Sequence, residues 1–176
     1  VLLMSSGVTF DEDYLDPSSD INKMGRVLAL GRSMDAFTAD LTETFQPAGS
    51  AWQYVSIDTH VLGMVLRGAT GKSIPVLLSE KVIAPLGLEA SPYYVTDGYG
   101  TAFVLGGLNM RTRDYARFGQ MVLQDGRYNG RQIVPAEWLR QSTMPLAKTK
   151  AGAIQYGYQW WIPADAQEGE FMARGI

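Results

Sequence analysis

The sequence predicts an α+β chain, mostly helical, with a few strands towards its C-terminus. Two helical runs carry the first part of that reading: Ile57, Val61, Leu62, Val65 and Leu66 recur at helical spacing, and so do Ile74, Leu77, Leu78, Val82 and Ile83. The aromatic stretch Tyr156-Gly157-Tyr158-Gln159-Trp160-Trp161-Ile162 carries the second, because aromatic and β-branched side chains suit a pleated surface.

In chain order, Leu2-Leu3-Met4 before Ser5-Ser6-Gly7 reads as the last turn of a buried helix, with Gly7 as its left-handed stop. Asp11 to Asn22, acidic and carrying Pro17, reads as irregular surface or lid, and Met24 to Phe37 returns to helical spacing. Pro47-Ala48-Gly49-Ser50 is a turn. The short strand-like Trp52 to Val55 then leads to Ser56, a natural N-cap for the helix that starts at Ile57 and ends near Gly68 and Gly71. The next helix, Ser73 to Ile83, is expected to stop at Pro85. Asp97 to Gly107 reads as a glycine-rich loop enclosing a short strand at Phe103-Val104-Leu105. Thr112 caps a helix with Tyr115, Phe118, Met121, Val122 and Leu123 on its inner face, and Pro135 takes the first position of a helix through Ser142.

Composition narrows the function. The 176 residues are 46% apolar and 19% charged, which places the chain among ordinary folded domains. A formal charge of −3, with Lys and Arg scattered, offers no basic stripe to a polyanion, so nucleic acid is not an expected partner. The absence of cysteine excludes a disulfide framework, a thiol nucleophile and thiolate metal ligands. The apolar runs are far shorter than the roughly 20 residues of a membrane-spanning helix.

Few residues point to chemistry by themselves. His60 is the sole histidine, and Asp58 two positions away cannot face it on a helix. No serine sits in a G-x-S-x-G elbow, so an alpha/beta-hydrolase triad through His60 has little support. Gly68-Ala69-Thr70-Gly71-Lys72-Ser73 lacks the first glycine of a phosphate loop and follows a helix rather than a strand. Arg113, Asp114 and Arg117 read as helix-start charges and structural ion pairs. Tyr156, Tyr158, Trp160 and Trp161 read as strand and core packing. Tyr54-Val55-Ser56, taken alone, is a core aromatic followed by an N-cap.

The order of segments around that tripeptide changes its reading. Leu2-Leu3-Met4-Ser5-Ser6-Gly7, Pro47-Ala48-Gly49, Tyr54-Val55-Ser56, Leu62-Gly63, Gly106-Gly107-Leu108, the run from Thr112 to Gly119 and Asn129 to Pro135 stand in the order found in one family. The chain resembles the serine beta-lactamase and penicillin-binding-protein superfamily, in its branch of class C-like esterases and 6-aminohexanoate-oligomer hydrolases.

That resemblance implies a beta-lactamase/transpeptidase-like fold and a serine hydrolase that acts on small-molecule esters or amides through an acyl-enzyme, with no metal or organic cofactor. It implies a proton-transfer role for Tyr54, whose hydroxyl would need a neighbouring cation to lower its pKa, and a hydrogen-bonding role for Ser56 at the rim. It places the third motif of the family, a pocket-lining strand, at or just beyond Arg174-Gly175-Ile176, making Gly175 and Ile176 the substrate-binding candidates. The nucleophile would be a serine in S-x-x-K, and none of the serines here has Lys three residues on.

The expectation is therefore that residues 1–176 are an internal fragment of a single such domain, inactive alone, with the nucleophile before Val1. Val1-Leu2-Leu3-Met4 lacks an initiator Met and a basic region, and the alternation from Glu170 to Ile176 stops without a turn or partner in sight. The alternative from another class is a non-catalytic, penicillin-binding-like helical binding module. Relatives of this kind are often exported, which favours the periplasm or exterior slightly over the cytoplasm; substrate and oligomeric state stay open.

Overall fold

The computed structural model describes residues 1–175. The candidate Ile176 lies outside the described residues. None of the first nine residues is helical, so the expected last turn of a helix at Leu2-Leu3-Met4 is absent. Gly7 is left-handed as expected, but so is Met4 (φ +48°), buried at 1% exposed, where the chain already turns. Residues 7–9 instead run antiparallel to 43–45, with Phe45 N–H donating to Gly7 O at 2.9 Å and Thr9 N–H to Glu43 O at 2.9 Å. Gly7 is required here on two counts: its φ is +78°, and a Cβ would lie 2.1 Å from Gln46 O.

The helical span expected from Met24 to Phe37 is two helices, α1 (Asp20–Ala29) and α2 (Met34–Ala39). Gly31, left-handed at φ +63°, breaks the run, and Ser33 restarts it by accepting the Ala36 N–H at 3.1 Å. Met24 and Met34 bury against Phe10, Val55 and Ile57 in the core cluster. Asp97 ties a distant loop to this junction: Oδ2 accepts the Met34 N–H at 2.9 Å, while Oδ1 accepts those of Tyr99 and Thr101 at 2.9 Å each.

Helix α3 (Ile57–Thr70) ends on left-handed Gly71 as predicted, but its apolar stripe is not its buried face. Val65 and Leu66 are exposed, and the helix buries Ile57, Asp58, His60 and Gly63. Gly63 matters because a Cβ would come within 3.0 Å of Val104 Cγ2. The following helix does not stop at Pro85. It runs as α4 (Ile74–Leu78), a π turn (Ser79–Ile83) and α5 (Ala84–Leu86), ending at left-handed Gly87. Proline lacks an N–H and crowds the preceding turn, and the wider π turn just before it accommodates both defects. No single helix is long and apolar enough to cross a membrane among the described residues; α3 and its successors pass such a test only as a pair bent by 79°.

The strands lie in the C-terminal half, as expected, but as three separate two-stranded antiparallel hairpins. β1 (Tyr93–Tyr94) pairs β2 (Leu108–Asn109), β3 (Arg127–Tyr128) pairs β4 (Arg131–Gln132), and β5 (Gln155–Tyr156) pairs β6 (Trp161–Ile162). Phe103 to Leu105 is therefore turn, not strand, and the pairing residues flank the glycine-rich loop. The predicted strand from Tyr156 to Ile162 is bent into a hairpin, with Gln159 left-handed at φ +64°. Met172 pairs Trp161 through N–H···O bonds of 2.8 and 3.0 Å, so the C-terminal stretch has the partner that its sequence did not reveal.

Helix α6 (Thr112–Leu123) starts one residue earlier than expected, with Arg111 at the N-cap, and α7 (Ala136–Ser142) has Pro135 as its cap. Of the residues predicted on the inner face of α6, Met121 is fully buried but Tyr115 and Leu123 are exposed, and Asp114, not predicted there, is fully buried. Asp114 Oδ1 accepts the Glu89 N–H at 2.9 Å and bonds Arg117, whose other Nη reaches Glu89 Oε1 at 2.8 Å. Arg113, 3.7 Å from Glu89 and largely exposed, adds little.

The Glu89 N–H and the Arg117 guanidinium hold the Asp114 carboxyl below its ordinary range, although burial opposes them. A depressed carboxyl stabilises the fold above its unfolded-state pKa, and the contribution disappears as pH falls through the folded value. Asp114→Asn should thus melt below wild type at neutral pH, and the gap should close below about pH 4; thermal melts of both proteins across pH check this.

Candidate active site

Tyr54 lies on the lead-in to α3, and Ser56, already helical in backbone (φ −54°, ψ −35°), opens the helix. Val55 between them is 2% exposed and anchored in the core, and its two neighbours line a cavity of about 620 Å³. Gly175 and Arg174, far along the sequence, line the same cavity, as do Glu12 and Trp161. The sequence candidates within the described residues, Tyr54, Ser56 and Gly175, are thus brought together. Glu12, Tyr14 and Trp161 were not foreseen; Arg174 belongs to the stretch that the resemblance places at the pocket.

Trp161 is the platform of the site. Its ring lies 5.0 Å from that of Tyr54, tilted by 32°, and 5.1 Å from that of buried Tyr156, edge-on at 90°. The Arg174 guanidinium sits 5.5 Å from the centre of the Trp161 ring, within cation–π range. Trp161 is therefore both packing and cavity wall, whereas Trp160 packs on Phe171 and Tyr158 on Trp138, as sequence reading expected. Thr59, on the first turn of α3, donates to Gln159 Oε1 at 2.8 Å, and Gln159 Nε2 donates to Leu2 O at 3.3 Å. The bend between β5 and β6 is thereby fastened to α3 and to the start of the chain.

Ser56 occupies the N-cap position of α3 but makes no capping bond. Its backbone is already helical rather than extended as at a usual cap, and Glu12 takes both of its donors: the Ser56 N–H bonds Glu12 Oε1, and the Ser56 hydroxyl donates to Oε2 at 3.0 Å. Tyr14 also donates to Oε2, at 3.3 Å. A carboxylate at a helix start complements the helix dipole, and Glu12 supplies it from 44 residues away. Burial raises the Glu12 carboxyl above its ordinary range, with the Ser56 bonds pulling it partly back.

Burial also pushes the Tyr54 hydroxyl up, and the charge of Glu12 adds to the shift. A hydrogen bond from Ser56 to the phenolate would oppose this, but the Ser56 proton is already given to Glu12. The direction is opposite to the lowered pKa that the resemblance requires of Tyr54.

Beneath the site, buried Asp58 is raised by desolvation, and its Oδ2 has no hydrogen-bond partner among the described residues. His60 points elsewhere. Its Nε2 lies 2.8 Å from Asp35 Oδ1, and Arg67 bonds the same carboxylate at 2.7 and 2.9 Å. Burial alone would raise Asp35, yet the Arg67 and His60 bonds hold it below its ordinary range, so it is ionised and Nε2 is the donor. This is a structural linkage between α2 and α3, and no serine joins it. A second cavity of about 440 Å³ lies between α4–α5 and the β1–β2 hairpin, lined by Leu78, Ile83, Leu88 and similar side chains with the phenols of Tyr93 and Tyr94, and among the described residues no carboxylate, imidazole or cation lines it.

The fold is that of the beta-lactamase and penicillin-binding-protein group. A penicillin-binding protein from Bacillus halodurans matches 97% of the chain with its own coverage at 58%, a TM-score of 0.68 and 15% identity. A Bacillus anthracis structure provisionally assigned as a 6-aminohexanoate-dimer hydrolase matches 97% of the chain and 47% of its own, with a TM-score of 0.73 and 30% identity. The profile of the Beta-lactamase family covers residues 1–171, and the chain belongs to that family. In sequence it is 31% identical to the 6-aminohexanoate-dimer hydrolase of Paenarthrobacter ureafaciens, over all of the chain and 48% of that protein. The chain thus spans about half the length of these relatives.

Proposed function

We propose that the chain forms part of a serine hydrolase that opens an ester or amide bond through an acyl-enzyme, with Tyr54 and Ser56 as its proton-handling pair. The observation that carries this is the convergence of Tyr54, Ser56 and Gly175 on one cavity. Family membership and the name of the Paenarthrobacter relative support amide or ester cleavage over other chemistries.

In this reading a serine hydroxyl outside residues 1–176, in an S-x-x-K motif, attacks the substrate carbonyl. Tyr54 Oη takes the hydroxyl proton and passes it to the leaving amine or alcohol. Water then attacks the acyl-serine, and the carboxylic acid departs as the serine is restored. For Tyr54 to work near neutral pH its raised hydroxyl must be brought down, and the ammonium of the motif lysine is the cation that would do so. Gly175 and Ile176 would form the strand edge against which the acyl group lies.

The test is intact-protein mass spectrometry of the full-length gene product after mixing with an activated short-chain ester. The expected result is one acyl adduct on the serine of S-x-x-K, and none on a polypeptide of residues 1–176. A full-length product with neither adduct nor turnover would replace this reading with that of a non-catalytic binding module.

A further inference from the structure

Glu12 takes no step in the chemistry above, yet its carboxylate is aimed at Ser56 and accepts both donors of that residue. A serine hydroxyl has one proton to give and lone pairs to receive with. Because the Ser56 proton goes to Glu12 Oε2 at 3.0 Å, the Ser56 oxygen can offer its neighbours only lone pairs. Tyr54 shares the cavity with it. A neutral Tyr54 hydroxyl can donate to such an oxygen, whereas a phenolate finds no donor there.

We propose that Glu12 is a positioning residue of the Tyr54 site: by holding the Ser56 proton, its carboxylate makes Ser56 an acceptor and keeps Tyr54 in its neutral, donating form until a cation or substrate enters the cavity. The inference rests on the reading of Tyr54 as the proton-transfer group. The other titratable or charged groups around Glu12 are Asp11 and Tyr14 on its own loop, Tyr54 before α3, and Arg174 from the C-terminal stretch. Of these, Arg174 is the only cation, and it lies over Trp161.

The experiment is an NMR pH titration of ring-labelled tyrosine in the full-length protein, with the Tyr54 signal assigned by its loss in Tyr54→Phe. Glu12→Gln, which keeps shape but removes charge and one acceptor, should lower the pH at which Tyr54 ionises by about one unit. In a Ser56→Ala background the same substitution should shift it by about half as much, because part of the effect travels through the Ser56 hydroxyl. An unmoved titration, or equal shifts in both backgrounds, overturns the proposal; the latter means charge acting through space alone. Should Glu12→Gln fail to fold, Ser56→Ala alone decides: Tyr54 ionising at lower pH than in wild type agrees, and an unmoved or raised titration overturns the proposal. If turnover survives Tyr54→Phe, the reading of Tyr54 as the proton-transfer group falls whatever the titration shows, so the two failures are separable.

Discussion

Full-length protein carrying Tyr54→Phe is expected to lose about 10²- to 10⁴-fold in kcat against a chromogenic short-chain ester, the range for removing a positioned proton-transfer group. The substitution deletes only the hydroxyl. The ring keeps its place 5.0 Å from Trp161, and Val55 beside it stays anchored in the core, so the melting temperature should hardly move. KM should change much less than kcat, because proton transfer matters in the transition state and not in substrate binding. Wild-type turnover in the variant would make Tyr54 a packing aromatic and Ser56 a helix-start residue held by Glu12, and nothing more.

Gly98→Ala should be among the most destabilising single-methyl additions in the chain. A Cβ at Gly98 would lie 1.9 Å from Gly31 O and 2.6 Å from its carbonyl carbon. Both atoms belong to backbone, so no side chain can swing aside. The clash sits where Asp97 joins the loop to the N-terminus of α2, and that loop carries Phe103, Leu105 and Gly106 to the cavity wall. A cost of about 3 kcal/mol, or roughly 8 °C in melting temperature for a domain of this size, is expected. Gly49→Ala, where a Cβ meets nothing within 4 Å, is the informative control: strained only by its φ of +78°, it should cost less. Equal melting temperatures for wild type and Gly98→Ala would mean that the Gly31 and Gly98 backbones separate freely.

The same two glycines show where sequence reading reaches its limit. Gly31 falls unmarked within the helical span expected from Met24 to Phe37, and nothing local says that residue 98 must lie against it, since that contact spans the chain. Ser56 is a similar case. Its type and position before an apolar helical run predict the N-cap position but not the missing capping bond, and the partner that claims its hydroxyl comes from an acidic loop whose residues look alike in sequence. Pro85 misled for a different reason: proline ends a regular α-helix, but a π turn lets the chain continue past it. On α3 the apolar stripe through Val65 and Leu66 was legible and yet stayed exposed, because the helix turns Asp58, His60 and Gly63 inward.

What the sequence determined by itself is what depends on residue type and near neighbours: the helical and strand-rich regions, the left-handed stop at Gly71, the ordered motifs that mark the family, and Tyr54 and Ser56 as the residues to watch. What only the tertiary structure decided is which distant groups meet them. Trp161 beneath Tyr54, Arg174 over Trp161 and Glu12 on Ser56 are contacts across long stretches of chain, set by how α3, the β5–β6 hairpin and the loop before α1 close around one cavity. Such contacts fix the charge and hydrogen bonding at the Tyr54 hydroxyl, and local spacing carries no record of them because the chain must fold before those groups share a surface.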